Sequence, residues 1–142
     1  MLDFLFKWKK KKMPPHIRQG IWGEKVAVSM MKKKGYRILG TRVRMGRRDE
    51  LDIVARMENT LVFVEVKTRR NENFARPLAA VTPSKQKILS RAAARYLSRL
   101  SSRPAGFRFD VVEVIGEEGD KSPIIRHIEK AFSMNSRYNL QW

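Results

Sequence analysis

The sequence predicts an α/β domain in which a mixed sheet is covered by helices. Three observations carry that expectation. Two stretches with helical apolar spacing lie near the front and the middle of the chain, β-branched apolar runs fill the space between and after them, and turn residues punctuate each change. The resulting order, α-β-β-β-α-β with room for one more β, places helices against a sheet that must mix parallel and antiparallel pairs.

Taken in order, Met1–Lys12 joins an apolar patch (Leu2, Phe4, Leu5, Phe6, Trp8) to the run Lys9–Lys12, and Pro14-Pro15 separates it from the rest of the chain. The charge lies on the wrong side of the apolar run for a secretory signal, and no stretch reaches the roughly 18 apolar residues of a membrane span. Residues 1–15 read as a basic tail, 16–133 as the domain and 134–142 as a C-terminal tail. Ile17 to Lys34 forms the first helix, with Ile21, Val28 and Met31 at helical spacing and Gly35 as its stop. Tyr36–Met45 alternates as a strand, and Gly46-Arg47-Arg48-Asp49 is a turn. Glu50–Arg56 and Leu61–Thr68 make a hairpin. Thr82-Pro83 opens a second helix running to about Leu100, since Thr caps free N–H groups and Pro at the first position needs no donor. Phe107–Ile115 is a strand, and Ile124–Ile128 a last short one.

The chain has 142 residues, enough for one core, and no Cys. That excludes disulfides, a thiolate nucleophile and Cys-based zinc sites, and agrees with a cytoplasmic compartment. Only His16 and His127 offer imidazoles, so a metal site would be built from oxygen and would favour Mg²⁺ or Mn²⁺. Lys and Arg number 31 against 14 Asp and Glu, a net charge of +17. Solubility on a small domain usually needs only about 2–8 charges, so the surplus points to a polyanion, nucleic acid before a membrane surface.

Candidate chemistry begins in the hairpin. If Glu58-Asn59 is a two-residue loop, Asp52 faces Glu65 and Glu50 faces Lys67, and strand alternation puts all four on one patch. Two carboxylates with β-carbons about 4.5–5.5 Å apart destabilise a sheet unless a cation lies between them. A solvated face with an ordinary Glu50/Lys67 pair is the competing reading. The acids nonetheless sit beside Leu61-Val62-Phe63-Val64 and Ile53-Val54-Ala55, the most apolar strands of the chain, where charges seldom go unpaired. Glu24 falls between Ile21 and Val28 on the apolar stripe of the first helix, and is expected to face inward toward a partner. Trp22 and Tyr96 read as core more than as base-stacking residues, unlike Phe74, and Asp110 as half of an ion pair with an Arg.

Gly20-Ile21-Trp22-Gly23-Glu24-Lys25-Val26-Ala27, Gly35-Tyr36-Arg37-Ile38-Leu39, Glu50-Leu51-Asp52-Ile53-Val54-Ala55 and Phe63-Val64-Glu65-Val66-Lys67-Thr68-Arg69 together resemble the YraN family of the PD-(D/E)XK nuclease superfamily. Ala80-Val81-Thr82 with Lys85, the Ala-rich helix to Tyr96-Leu97, and Arg108-Phe109-Asp110-Val111-Val112 extend the resemblance from about Ile17 to Phe132. The chain departs from the family at Asp49, where Gly usually precedes the acid, and in its basic N-terminal extension.

The resemblance implies a restriction-endonuclease-like αβββαβ core, similar to that of archaeal Holliday-junction resolvases, and DNA before RNA as the polyanion. It implies that Asp52, Glu65 and the Val66 carbonyl bind Mg²⁺ or Mn²⁺, that Glu24 acts through a bound water or a second metal, and that Lys67 positions the attacking water, oriented by Glu50. Lys85 and Gln86 at the start of the second helix would support a phosphate. Arg42, Arg44, Arg47 and Arg48 on one side, and Arg69, Arg70 and Arg76 on the other, would track the backbone. The expected activity is a metal-dependent endonuclease, with a catalytically silent nucleic-acid-binding module as the alternative. A membrane-surface adaptor acting through Met1–Lys12 is the weaker third reading. A resolvase would in addition need a two-fold homodimer to cut both strands.

Overall fold

The computed structural model describes residues 13–71 and 81–138. The expected elements are all present: α1 (Pro15–Lys33), β1 (Arg37–Met45), β2 (Asp49–Met57), β3 (Thr60–Arg69), α2 (Pro83–Ser98), β4 (Gly106–Ile115) and β5 (Ile124–Phe132). Met1–Lys12, Phe74, Arg76 and Ala80 lie outside the described residues.

Pro15 is the first residue of α1, two residues earlier than expected, because a proline at the first helical position sacrifices no hydrogen bond. The helix ends where Gly35 adopts φ +94°, its N–H donating to the Lys32 carbonyl and that of Tyr36 to the Met31 carbonyl. These two bonds satisfy carbonyls that would otherwise be orphaned.

The sheet has the order β1-β2-β3-β4-β5. All neighbours are antiparallel except β3 and β4, whose parallel pairing requires the crossover that α2 supplies. One face packs Leu51, Val54, Phe63, Phe109 and Val111 against Leu89 and Leu97 of α2. The other packs Ile53, Val62, Val64 and Val112 against Ala27 and Met31 of α1. The buried face of α1 is Gly23, Ala27 and Met31; Ile21 and Val28, expected inside, lie on its flank and are only partly covered. Trp22 and Tyr96 pack against the two cores, as expected.

Strand β5 runs four residues beyond the expected Ile128. A bulge explains the difference: the β4/β5 register shifts between Phe109 and Val111, and Lys130 adopts φ +50°. A bulge interrupts the alternation by which a strand is read from sequence. Among the described residues no helix is long and apolar enough to cross a membrane.

Candidate functional site

The β2–β3 hairpin turns at Glu58-Asn59 and pairs Met57 with Thr60 through Ile53 with Val64, the register expected from a two-residue loop. The ladder ends there, just before Asp52 and Glu65. Strand alternation breaks at the same point, since Leu51 and Val54 both face α2 while Ile53 faces α1. With the strands parting, the Asp52 carboxylate replaces a backbone carbonyl and accepts the Val66 N–H at 2.9 Å.

Asp52 and Glu65 lie within hydrogen-bonding reach of one another. Burial, and then the neighbouring Glu65 carboxyl, push Asp52 up to about 8 despite the Val66 N–H. Glu65 is buried, and its Oε2 has no hydrogen-bond partner, with Lys85 Nζ 3.6 Å away. A buried carboxylate oxygen left without a donor is costly. The expected carboxylate pair is therefore present, and it is short of positive charge.

Lys85 reaches Glu65 because Thr82 caps α2, its hydroxyl accepting the Lys85 N–H at 3.2 Å. Gln86 does not join the acids: its side-chain amide donates to the Val81 carbonyl at 2.8 Å, closing the helix's own first turn. Lys67 follows Glu65 on the α2 side of β3, where its neighbour in the parallel register is Glu113. Glu50 was expected to orient Lys67. Its carboxylate is instead 3.8 Å from Arg44, its register partner on β1, because the β2–β3 pairing that would bring Lys67 opposite has already ended.

Glu24 stands on the α1 side of the sheet. Gly23 lets α1 approach β3 so closely that a β-carbon there would overlap the Thr68 side chain, and the next residue, Glu24, lies near enough to Asp52 and Glu50 to feel both carboxylates. Its partner is Arg42, whose Nε donates to Glu24 Oε2 at 2.8 Å. Burial pushes the Glu24 carboxyl above its usual range, Arg42 opposes the rise, and nearby Asp52 and Glu50 add to it. Of the expected backbone-tracking residues, Arg44, Arg47 and Arg48 are exposed on β1 and the turn beyond it. Arg69 is half-buried at the end of β3, and Arg70 lies 3.9 Å from Glu117.

The set Glu24, Asp52 and Glu65 is thus drawn toward one place but not closed. Among the described residues, no group of three or more His, Asp or Glu is gathered as a metal cage. The donors present still fit a hard cation: two adjacent carboxylates, one with an oxygen lacking a donor, beside the Val66 backbone.

Three features of the charged framework were not read from the sequence. Asp49 is buried and takes two hydrogen bonds from Arg91 of α2, each 2.7 Å, which tie the β1–β2 turn to α2. The Arg91 guanidinium holds the Asp49 carboxyl below the usual carboxylate range. Glu113 is 0% exposed, between Lys67 on β3 and Arg126 on β5, whose Nη1 is 3.8 Å away. An acid within Val111-Val112-Glu113-Val114-Ile115 carries the same signal that singled out Glu65. Asp110 has an Arg partner as expected, Arg108 at 3.0 Å, but also His127 at 2.7 Å and the Lys130 N–H at 3.1 Å. Lys34 donates to His127 Nδ1, so Nε2 carries the proton given to Asp110.

Fold and site together define an α/β protein with an αβββαβ core and a buried carboxylate pair where its hairpin opens. The model of the uncharacterised protein family UPF0102, the YraN family, matches residues 23–114, a span that holds Glu24, Asp52 and Glu65. The chain belongs to that family. It is 44% identical over 123 residues to a UPF0102 protein of Pelobacter propionicus, covering 85% of this chain and 86% of that protein. It is 48% identical over 97 residues to one from Symbiobacterium thermophilum, covering 68% and 81%. A third, from Chloroherpeton thalassium, is 36% identical over 126 residues, covering 89% and 97%.

Proposed function

We propose that this protein is a divalent-metal-dependent endonuclease that hydrolyses phosphodiester bonds, branched DNA included. The observation that carries the reading is the buried Asp52–Glu65 pair at the parting of β2 and β3, with Glu65 Oε2 lacking a donor. A net charge of +17 supports a polyanionic substrate.

Asp52 and Glu65, with the Val66 carbonyl, would hold Mg²⁺ or Mn²⁺, which supplies Lewis-acid stabilisation of phosphorus and a more acidic water when bound. Lys67 stands on the same face as Glu65 to position the attacking water or meet developing charge. Lys85, at the capped start of α2 and 3.6 Å from Glu65, would offer its ammonium to a phosphate oxygen. Arg44, Arg47 and Arg48 present exposed charge to the backbone.

The test is cleavage of labelled four-way junction, flap, duplex, single-stranded DNA and RNA in Mg²⁺, Mn²⁺ or EDTA, with Asp52→Asn and Glu65→Gln alongside. Metal-dependent cutting lost in both variants is the expected result. A second reading, a nucleic-acid-binding module without chemistry, is favoured by one observation: the three acids do not close into a cage among the described residues. Binding of several panel members in EDTA with no cutting in either metal would select it. Homodimerisation is proposed only for the resolvase form, where sedimentation on a junction should show two copies.

A further inference from the structure

The strongest irregularity near the acids is Arg42. It is a non-glycine residue at φ +49° inside an edge strand, a conformation that persists only where the surroundings favour it. Its position is telling. Thr41 pairs with Ile53 and Val43 with Leu51, so Arg42 falls opposite Asp52, the residue at which β2 itself loses its alternation. The side chain leaves the strand to bind Glu24 on α1 at 2.8 Å, so one guanidinium stands among Glu24, Asp52 and Glu50.

That contact is not sealed. Arg42 is 45% exposed against 18% for Glu24, and both line a groove of about 680 Å³ between α1 and β1 that is open to solvent. A guanidinium held to a carboxylate at the mouth of an open groove can exchange it for a backbone phosphate, which carries the same single negative charge and the same paired acceptors. The exchange would leave Glu24 without a cation next to two further carboxylates. A divalent ion at that place would resolve the conflict.

We propose that Arg42 is an exchangeable counterion coupling substrate to metal: in the free protein it neutralises Glu24, and on binding nucleic acid it transfers to a backbone phosphate and leaves Glu24 to join Asp52 and Glu65 in holding the cation. The proposal rests on the nuclease reading for its metal half and on the Glu24–Arg42 geometry alone for its phosphate half. Linkage then requires that substrate and metal each tighten the other by the same factor.

Two measurements test it. In EDTA, duplex binding is compared for the wild type, Glu24→Gln, Arg42→Gln and the double variant, with Arg42→Gly, which relieves the left-handed backbone, as a second neutral replacement. Glu24→Gln should tighten binding about fivefold by releasing Arg42, the effect of one modest ionic contact, and should do nothing in the Arg42→Gln or Arg42→Gly background. Equal tightening in every background would mean a general charge effect and overturn the exchange. Calorimetry with Mn²⁺ forms the second arm, with and without a phosphorothioate duplex. The duplex should raise the Mn²⁺ affinity of the wild type, while Arg42→Gln should bind Mn²⁺ tightly without it and lose the coupling. Coupling retained in Arg42→Gln would overturn the metal half. A wild type that binds no Mn²⁺ even with duplex would sink the nuclease reading instead, with the phosphate exchange still decided in EDTA.

Discussion

Two buried carboxylates of the same sheet meet opposite fates. Asp110, on β4, is wholly buried, yet His127, Arg108 and the Lys130 N–H all donate to it. Burial pushes its carboxyl up, but these donors outweigh burial and leave it below the usual range. Asp52, on β2, meets another carboxyl and a single backbone N–H, and is pushed up to about 8. The difference separates a charge that holds the fold together from one the fold leaves unsatisfied, and the second kind marks a candidate site.

The largest effect should come from breaking the compensated cluster. Asp110→Ala leaves Arg108 and His127 without their acceptor and should cost about 3–5 kcal/mol in chemical denaturation. The loss should appear without metal and remain when metal is added. The contribution of Asp110 has a definite pH sign: its folded value lies below the unfolded one, so its stabilisation is present at neutral pH and is lost as pH falls through the depressed value.

Gly23→Ala comes next. The added methyl meets Thr68 and should cost about 1–3 kcal/mol by overpacking, while pushing α1 and Glu24 away from β3. Pairing it with Thr68→Ala, which removes the hydroxyl that the methyl meets first, should recover part of the stability. No recovery would show that the close approach is not what Gly23 serves.

Asp52→Asn should act in the opposite direction. Its amide keeps an acceptor for the Val66 N–H and a donor toward Glu65 that the carboxyl, at about 8, offers only while protonated. Above that pH the metal-free protein should therefore gain about 1 kcal/mol, a rise in Tm of about 3 °C, with little gain at neutral pH. For wild type the sign follows from a carboxyl at about 8 when folded and about 4 when unfolded. The folded protein binds the extra proton between those values, so metal-free stability contributed by this group falls as pH rises from about 4 to about 8 and is level above. Asp52→Asn should abolish that slope. The smallest effect is expected on adding Mn²⁺ near pH 8, which should raise the Tm of wild type but not of Asp52→Asn, by an amount set by concentration over Kd. An equal rise in both would remove Asp52 from the metal-binding set.

Local chemistry made much of this legible. The helix ends at Gly35 and Thr82-Pro83, the Glu58-Asn59 turn and the pairing of Met57–Thr60 through Ile53–Val64 follow from residue preferences that act over a few positions. Acids embedded in apolar runs pointed to Asp52 and Glu65, and would have pointed to Glu113 by the same rule. Charge partners were the least legible part. Extending an ideal ladder assigns Glu50 to Lys67, but the strands part first and Arg44 takes it. Its position in the first turn makes Gln86 a donor toward a phosphate, but its amide turns back to Val81.

The order of elements, the family, the hairpin register and the two acids at its open end are written in the sequence, because each depends on periodicity, turn chemistry or a motif contained in a short stretch. That Arg91 reaches Asp49, that His127 secures Asp110 and that Arg42 leaves its strand for Glu24 emerges from the packing of helices on the sheet. Those pairs join residues separated by 42, 17 and 18 positions. A basic chain offers many cations to every acid, and selection among them depends on how helices seat on the sheet, where strands part and which charges lose their water.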